Sequence, residues 1–284
     1  MIFQRLIWAS LATAVVVGSM QTGVQRLQAA SLILAAEVYE AQKAEAPEPV
    51  APVVNAAHVH TEAVAHEHAD TSVHEHAQGA ANAWEPENGF ERTGWTLVAN
   101  ILHAFSMALL MFAVMGLWLY QRGAAVESMA LAGWVAAAGF VSLHLWPALG
   151  LHAEVPGMEA APLHARQFWW VLAVASAAGA CAVAGFVRAS WCWLVAAALL
   201  ALPFVVGAPQ LQGDALAGFG PEARGALAQL GAQFIWATTW VALSFWTSLG
   251  LVGGLAFQRW VQPGLLIVLK GAGVADARAV NAAR

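Results

Sequence analysis

The chain has 284 residues, 60% of them apolar and only 10% charged, against roughly 25% charged in an ordinary soluble domain. So few charges cannot clothe a soluble globule, and the formal net charge of −5 describes the loops, mostly one loop, and points to no nucleic-acid partner. The charges are also clustered. They leave six silent stretches, Leu6–Gln25, Thr93–Gln121, Ser128–Ala153, Gln167–Val187, Ala189–Gly213 and Gly225–Gln258, each as long as the ~20 residues a helix needs to cross a bilayer core. The fold class expected is all-α, a polytopic membrane helix bundle of six transmembrane helices, with five as the alternative count.

In chain order, the first apolar run follows Arg5 and lacks a convincing small-residue cleavage pattern, so it reads as an uncleaved helix rather than a signal peptide. It continues through Gln21, Gln25 and Arg26 as one long helix whose amphipathic extension ends at Glu40, giving a first segment of residues 1–40. Residues 41–92 turn to Ala, Pro, Glu and His, a composition that buries too little surface to offset chain entropy and predicts a disordered loop. Residues 93–258 hold the remaining helices. The second opens at Arg92 and Gly94 and runs to Tyr120, and the third ends at His144 and Trp146, where Pro147 stops it. A loop with Pro156 and Pro162 follows. The fourth helix spans Arg166 to Val187, the fifth about Trp191 to Val206, and the sixth ends near Arg259, leaving 259–284 as a polar tail. Cys181 and Cys192 have no CxxC spacing and read as inert buried thiols.

With both termini in the cytoplasm, seven basic residues lie inside and five outside, which is the direction of the positive-inside bias. The loop of residues 41–92 is then periplasmic and the membrane a bacterial inner membrane. Trp8, Trp84, Trp95, Trp118, Trp134, Trp146, Trp169, Trp170, Trp191, Trp193 and Trp260 fall near predicted helix ends, as interfacial anchors do.

Six of the ten histidines occupy one eight-residue repeat, HVHTEAVA, HEHADTSV, HEHAQGAA. It aligns His58, His66 and His74 in one column and His60, His68 and His76 in another. Residues two apart share a face in an extended chain, so each H-x-H pair can offer two imidazoles to one ion, and Glu67, Asp70 and Glu75 add charge and oxygen donors. The bland alternatives are a low-complexity spacer or a loop that gains charge below about pH 6. Such a tract is a low-specificity trap that prefers copper, nickel or zinc to cobalt.

In the second helix Thr96, Asn100, His103 and Met107 lie on one face at 100° per residue, with Met111 slightly further round. In the sixth helix a comparable line runs through Gln229, Gln233, Trp236, Trp240, Ser244 and Thr247. Polar groups in hydrocarbon are costly unless they face the bundle interior, so these two faces are expected to meet and to form either a path or simple interhelical hydrogen bonds. Gly250 and Gly254 read as a close packing contact. Around the outer mouth stand Glu37, Glu40, His144, His152, Glu154, Met158, Glu159 and His164, a second candidate metal station, with Arg166 able to pair with one of the acids instead.

The segments LILAAEVYE, WEPENGFERT, HLWPALGL, EVPGMEAA followed by ARQFWW, ALPFVVGAPQ, and a last helix opening GAQF resemble the CbtA-type cobalt transporter subunits of bacteria, over roughly residues 1–259. The matching positions include Glu37, Tyr39, Glu40, His144, Pro147, Pro156, Gly157, Arg166, Gln167, Pro203 and Gln233. The resemblance implies a membrane subunit for cobalt(II) uptake toward cobalamin synthesis, working with a small single-helix, His-bearing CbtB-type partner. Cobalt itself comes from the resemblance alone, and nickel or zinc are the alternatives.

The expected mechanism has the loop histidines collect the ion, Glu37, Glu40 and His144 receive it, and His103 and Met107 pass it inward. Asn100, His152, Glu154, Met158, His164 and Gln233 are further candidates for the path. No phosphate-binding G-x-x-x-x-G-K-[ST] motif occurs, so the chain is expected to use no nucleotide and to be no enzyme. A homo-oligomer is compatible with this reading. Two rival readings are a haem-binding membrane oxidoreductase with His103 and His144 as ligands, and a metal chaperone or sensor that binds without transporting.

Overall fold

The computed structural model describes residues 2–45, 84, 86–122 and 127–271. Among these residues the chain forms helices and no strand. Helix α1 spans Ile2–Gln28 and α2 Ala30–Glu45. Helix α3 spans Phe90–Arg122, and α4 spans Ser128–Phe140 before passing through a π-helical turn, Val141–Leu145, and one more α turn, Trp146–Ala148. Helices α5 and α6 cover Leu163–Phe186 and Cys192–Val206. Helix α7 covers Pro221–Ala256, passes through a second π turn, Phe257–Val261, and continues to Gly271.

Three expectations change here. The first long helix is two, interrupted at Ala29 where the chain turns. The helical run of α4 ends at Ala148, one residue past Pro147, and α7 runs twelve residues past Arg259, so the tail predicted from residue 259 is helical as far as Gly271. Both prolongations have one cause. The amide of Trp146 bonds the carbonyl of Val141, and that of Gln262 bonds the carbonyl of Phe257, each five residues back. Each π turn is therefore closed by the amide of the residue before a proline, Pro147 or Pro263. The wider turn accommodates a ring that would otherwise clash with the carbonyl four residues earlier.

Among the described residues, five helices are long and apolar enough to span a membrane. The sixth predicted span, α6, has 15 residues, about 22 Å by helical rise, against a core of about 30 Å. It nonetheless runs antiparallel to α5. The indole Nε1 of Trp146 donates to the Leu200 carbonyl at 3.0 Å, and that of Trp169 donates to the Pro203 carbonyl at 2.9 Å. The end of α6 is thereby returned to the side from which α5 starts. Trp169 is 1% exposed, so it is a core residue and not the interfacial anchor expected of it, because its indole N–H finds a buried carbonyl.

The main core joins α1, α3, α4 and α7 through small side chains and a few large ones, among them Ala104, Ala108, Met111, Phe112, Met115, Ala132, Trp246, Leu249 and Phe257. Close approach depends on glycine. A Cβ on Gly18 would come within 2.7 Å of the Ile101 backbone, and one on Gly254 within 2.8 Å of the Ala132 side chain. The expected Gly250 and Gly254 contact is thus an α4–α7 seam.

One end of the bundle gathers α2, the start of α3 and the loops of residues 149–162 and 207–220. Lys43 pairs with Glu159 at 3.5 Å, the Glu159 amide donates to the Ala215 carbonyl at 2.9 Å, and Gly157 sits against Glu40 and Phe219. A small apolar cluster of Ala36, Val155 and Leu227 packs there. At the opposite end Ser128 Oγ donates to Gln262 Oε1 at 2.7 Å, and Gly264 lies beside Arg5.

Candidate functional site

A cavity of about 650 Å³ descends from the loop end between α1, α3, α4 and α7. Its wall runs from Asn88 and Gly89, through Arg92 and Thr96, to His103 and Met107. Eighteen residues of helical rise make that about 27 Å. Beneath Met107 the interior closes, since Met111, Phe112 and Met115 are fully packed with Leu249 and Phe257.

The cavity brings together residues that the sequence scattered over two helices. His103 of α3 and His144 of the α4 π turn both line it, with Met107. The His103 ring lies 5.0 Å from the Phe245 ring, centroid to centroid, and has no hydrogen-bond partner among the described residues. The His144 ring rests on Phe140, 5.6 Å away, and its Nε2 lies 3.4 Å from Thr239 Oγ1. That hydroxyl already donates to the Ile235 carbonyl at 2.9 Å. It can therefore only accept from the imidazole, which favours the Nε2–H tautomer and leaves the Nδ1 lone pair for a ligand. Thr239 and Phe245 are six residues apart on α7, so the two imidazoles attach at levels about 9 Å apart. They lie at successive levels, His144 nearer the loop end.

Asn100 is a tie rather than an open donor. Its Nδ2 donates to Thr22 Oγ1 at 2.9 Å and to Gln25 Oε1 at 2.7 Å, fastening α3 to α1. Gln233 departs from the expectation. It is exposed, as are Gln229 and Thr247, and Trp236 and Trp240 on the same line are 68% and 57% exposed. The face that α7 turns to the cavity is instead Phe234, Thr238, Val241, Ala242 and Phe245. Two indoles outweigh two amides in deciding which side meets apolar surroundings. The line of residues seen in the sequence therefore does not meet the α3 face.

At the mouth, carboxylates are already engaged. Arg92 donates to both Glu37 oxygens, at 2.6 and 3.1 Å. Arg166 pairs with Glu154 at 3.0 Å, as its position beside the loop acids suggested, and Lys43 takes Glu159. Glu40, His152 and His164 are exposed, and Met158 packs against Gly231 of α7. Among the described residues no group of three or more His, Cys, Asp or Glu side chains is placed to hold a metal. The six repeat histidines, His58 to His76, lie outside the described residues. Cys192 is buried and Cys181 half-buried, its Sγ 3.9 Å from Ser142 Oγ.

What kind of protein carries such a cavity is decided by comparison: residues 3–258 match the family model CbtA, described as a probable cobalt transporter subunit. The chain belongs to the CbtA family. No curated protein and no solved structure matches it. The family is one of transporter subunits, with which the helices long enough to span a membrane agree, and membership in a family of subunits implies partner subunits. The donor side chains that line the cavity of this CbtA chain include two imidazoles, a thioether and amides. Glu37 and Glu154, at the loop end, are paired with arginine.

Proposed function

We propose that this CbtA chain takes up a divalent transition metal, cobalt(II) by family, with nickel and zinc as the chemically close competitors. The observation that carries the reading is the placing of His144, His103 and Met107 on the wall of one cavity that begins at the loop end. In this reading the six loop histidines and neighbouring acids concentrate the ion. Glu37 and Glu40 receive it at the mouth as Arg92 releases Glu37, and His144 then His103 carry it inward. Neutral imidazoles bind such ions and let them go, and staggered single donors hold an ion less tightly than a chelating cluster would, which suits passage. Two charges moving inward down about 100 mV gain roughly 4.6 kcal/mol, enough to drive uptake without a nucleotide. The loop end then faces the periplasm and both termini the cytoplasm, in a bacterial inner membrane, with a small single-helix CbtB-type partner completing the inner part of the path.

The decisive measurement is uptake of radiolabelled Co²⁺, Ni²⁺ and Zn²⁺ into proteoliposomes holding the full chain, with and without the small partner. Replacing all six loop histidines by Ala should lower uptake at scarce metal and spare it at abundant metal; equal uptake at scarce metal would remove the capture role. His103→Ala and His144→Ala should each cut uptake about tenfold or more even at abundant metal, and full rates would reduce both rings to packing. The haem reading requires two imidazoles on opposite faces of one iron. The stagger of about 9 Å along α7 disfavours it, and a visible spectrum of the purified protein without a Soret band would close it.

A further inference from the structure

Gln21, which motif and spacing left unremarked, lies on the same cavity wall. It is 7% exposed, and its Oε1 is sealed from solvent with no hydrogen-bond partner among the described residues. A buried carbonyl oxygen without a donor is unfavourable, and such groups in native interiors call for a reason. Its neighbours give no relief. Asn100 spends its amide hydrogens on Thr22 and Gln25, and the Thr22 hydroxyl donates to the Gly18 carbonyl at 2.9 Å.

Its depth is fixed by contacts already described. Thr22, the next residue, meets Asn100, one helical turn on the loop side of His103. His103 in turn lies at the level of Phe245, and His144 at that of Thr239. By level along the helices, Gln21 therefore falls within the stretch of about 9 Å that separates the two imidazoles. We propose that Gln21 is the oxygen donor that receives a divalent cation, directly or through one of the cation's water ligands, between His144 and His103. Rotation about its last side-chain bond exchanges oxygen and nitrogen and turns the carbonyl toward the cavity. This rests on the transport reading above and adds to it a third, harder donor between two imidazoles, which makes the path selective for ions that accept both nitrogen and oxygen.

The test uses the full chain in proteoliposomes, with Co²⁺ and Mg²⁺ as probes, and compares Gln21→Met, Gln21→Glu and His103→Ala with the unsubstituted protein. Gln21→Met keeps length and removes the amide, and should weaken Co²⁺ binding and slow uptake by roughly tenfold. Gln21→Glu should tighten Co²⁺ binding, slow its release and bring measurable Mg²⁺ binding, because a carboxylate suits a hard cation. Gln21→Met behaving as unsubstituted protein while His103→Ala fails would overturn the role of Gln21 and leave the transport reading standing. Absence of Co²⁺ binding by the folded, unsubstituted chain would overturn both. Should Gln21→Met fail to assemble, an unchanged Co²⁺ to Mg²⁺ preference in Gln21→Glu decides against the proposal.

Discussion

Asn100 shows how one polar side chain in a membrane helix can be structural and still serve the path beside it. Its two amide hydrogens hold Thr22 and Gln25, and so fix α1 at the register that sets Gln21 on the cavity wall. Asn100→Ala should cost about 1 kcal/mol of stability, within the range found for interhelical hydrogen bonds in membranes, and lower the unfolding temperature in detergent. A larger loss of Co²⁺ uptake than of folded protein would mark the registry as functional. Outside the membrane, the Asp214 carboxyl is held below its ordinary value of 3.8, first by the Leu216 amide and then by Arg224, whose guanidinium pairs with it. A carboxyl depressed on folding contributes stability above its unfolded value and loses it as pH falls through the lower folded value. The loop of residues 207–220 should therefore stay docked at pH 5 and loosen only below about pH 4. Hydrogen exchange in that loop, followed against pH, checks this, and Asp214→Ala, which removes both the acceptor for Leu216 and the charge facing Arg224, should loosen the loop at every pH.

At the scale of the helix, the α4–α7 seam rests on atoms that glycine does not have. A Cβ at Gly254 would meet Ala132 at 2.8 Å and Met129 at 2.9 Å, whereas one at Gly133 would meet nothing within 4 Å. Gly254→Ala should destabilise the bundle by about 1–3 kcal/mol, and Gly133→Ala should be neutral or better; thermal unfolding of the pair separates close packing from a general intolerance of larger residues. The same helices show what a sequence does and does not disclose. The spans were legible because charge is excluded from lipid, and the α3 face through Thr96, Asn100, His103 and Met107 was legible because helical period alone puts those residues together. That His144 shares their cavity was not, since it depends on a π turn whose register no periodicity announces. Pro147 looked like a stop because a proline is read against α geometry, and the turn before it is wider. Gln233 misled for a different reason: polarity was counted along a line that two tryptophans turn outward. Gln21 gave no signal at all, because an unpaired oxygen is visible only once its surroundings are folded.

Taken whole, the molecule is polar and ion-paired at one end, hollow through the middle and sealed at the other by Met111, Phe112, Met115 and Phe257. In the proposed path an ion at Met107 would meet this packed layer, and the π turn at Phe257–Val261 stands beside it. The shortness of α6 carries a further consequence. Set across a bilayer, a helix of about 22 Å beside longer neighbours would draw the two leaflets toward each other on one flank only. Hydrophobic mismatch of this kind predicts that stability depends on acyl-chain length. Reconstituted in lipids of graded chain length, the protein should be most stable in the thinner bilayers, as read by its unfolding midpoint. Trp146 and Trp169, whose indoles hold α6 in place, should show the change in their fluorescence first. In a cell membrane of mixed composition the α5–α6 flank would gather short or fluid lipids around itself, so that the bilayer beside the cavity differs from the bilayer at large.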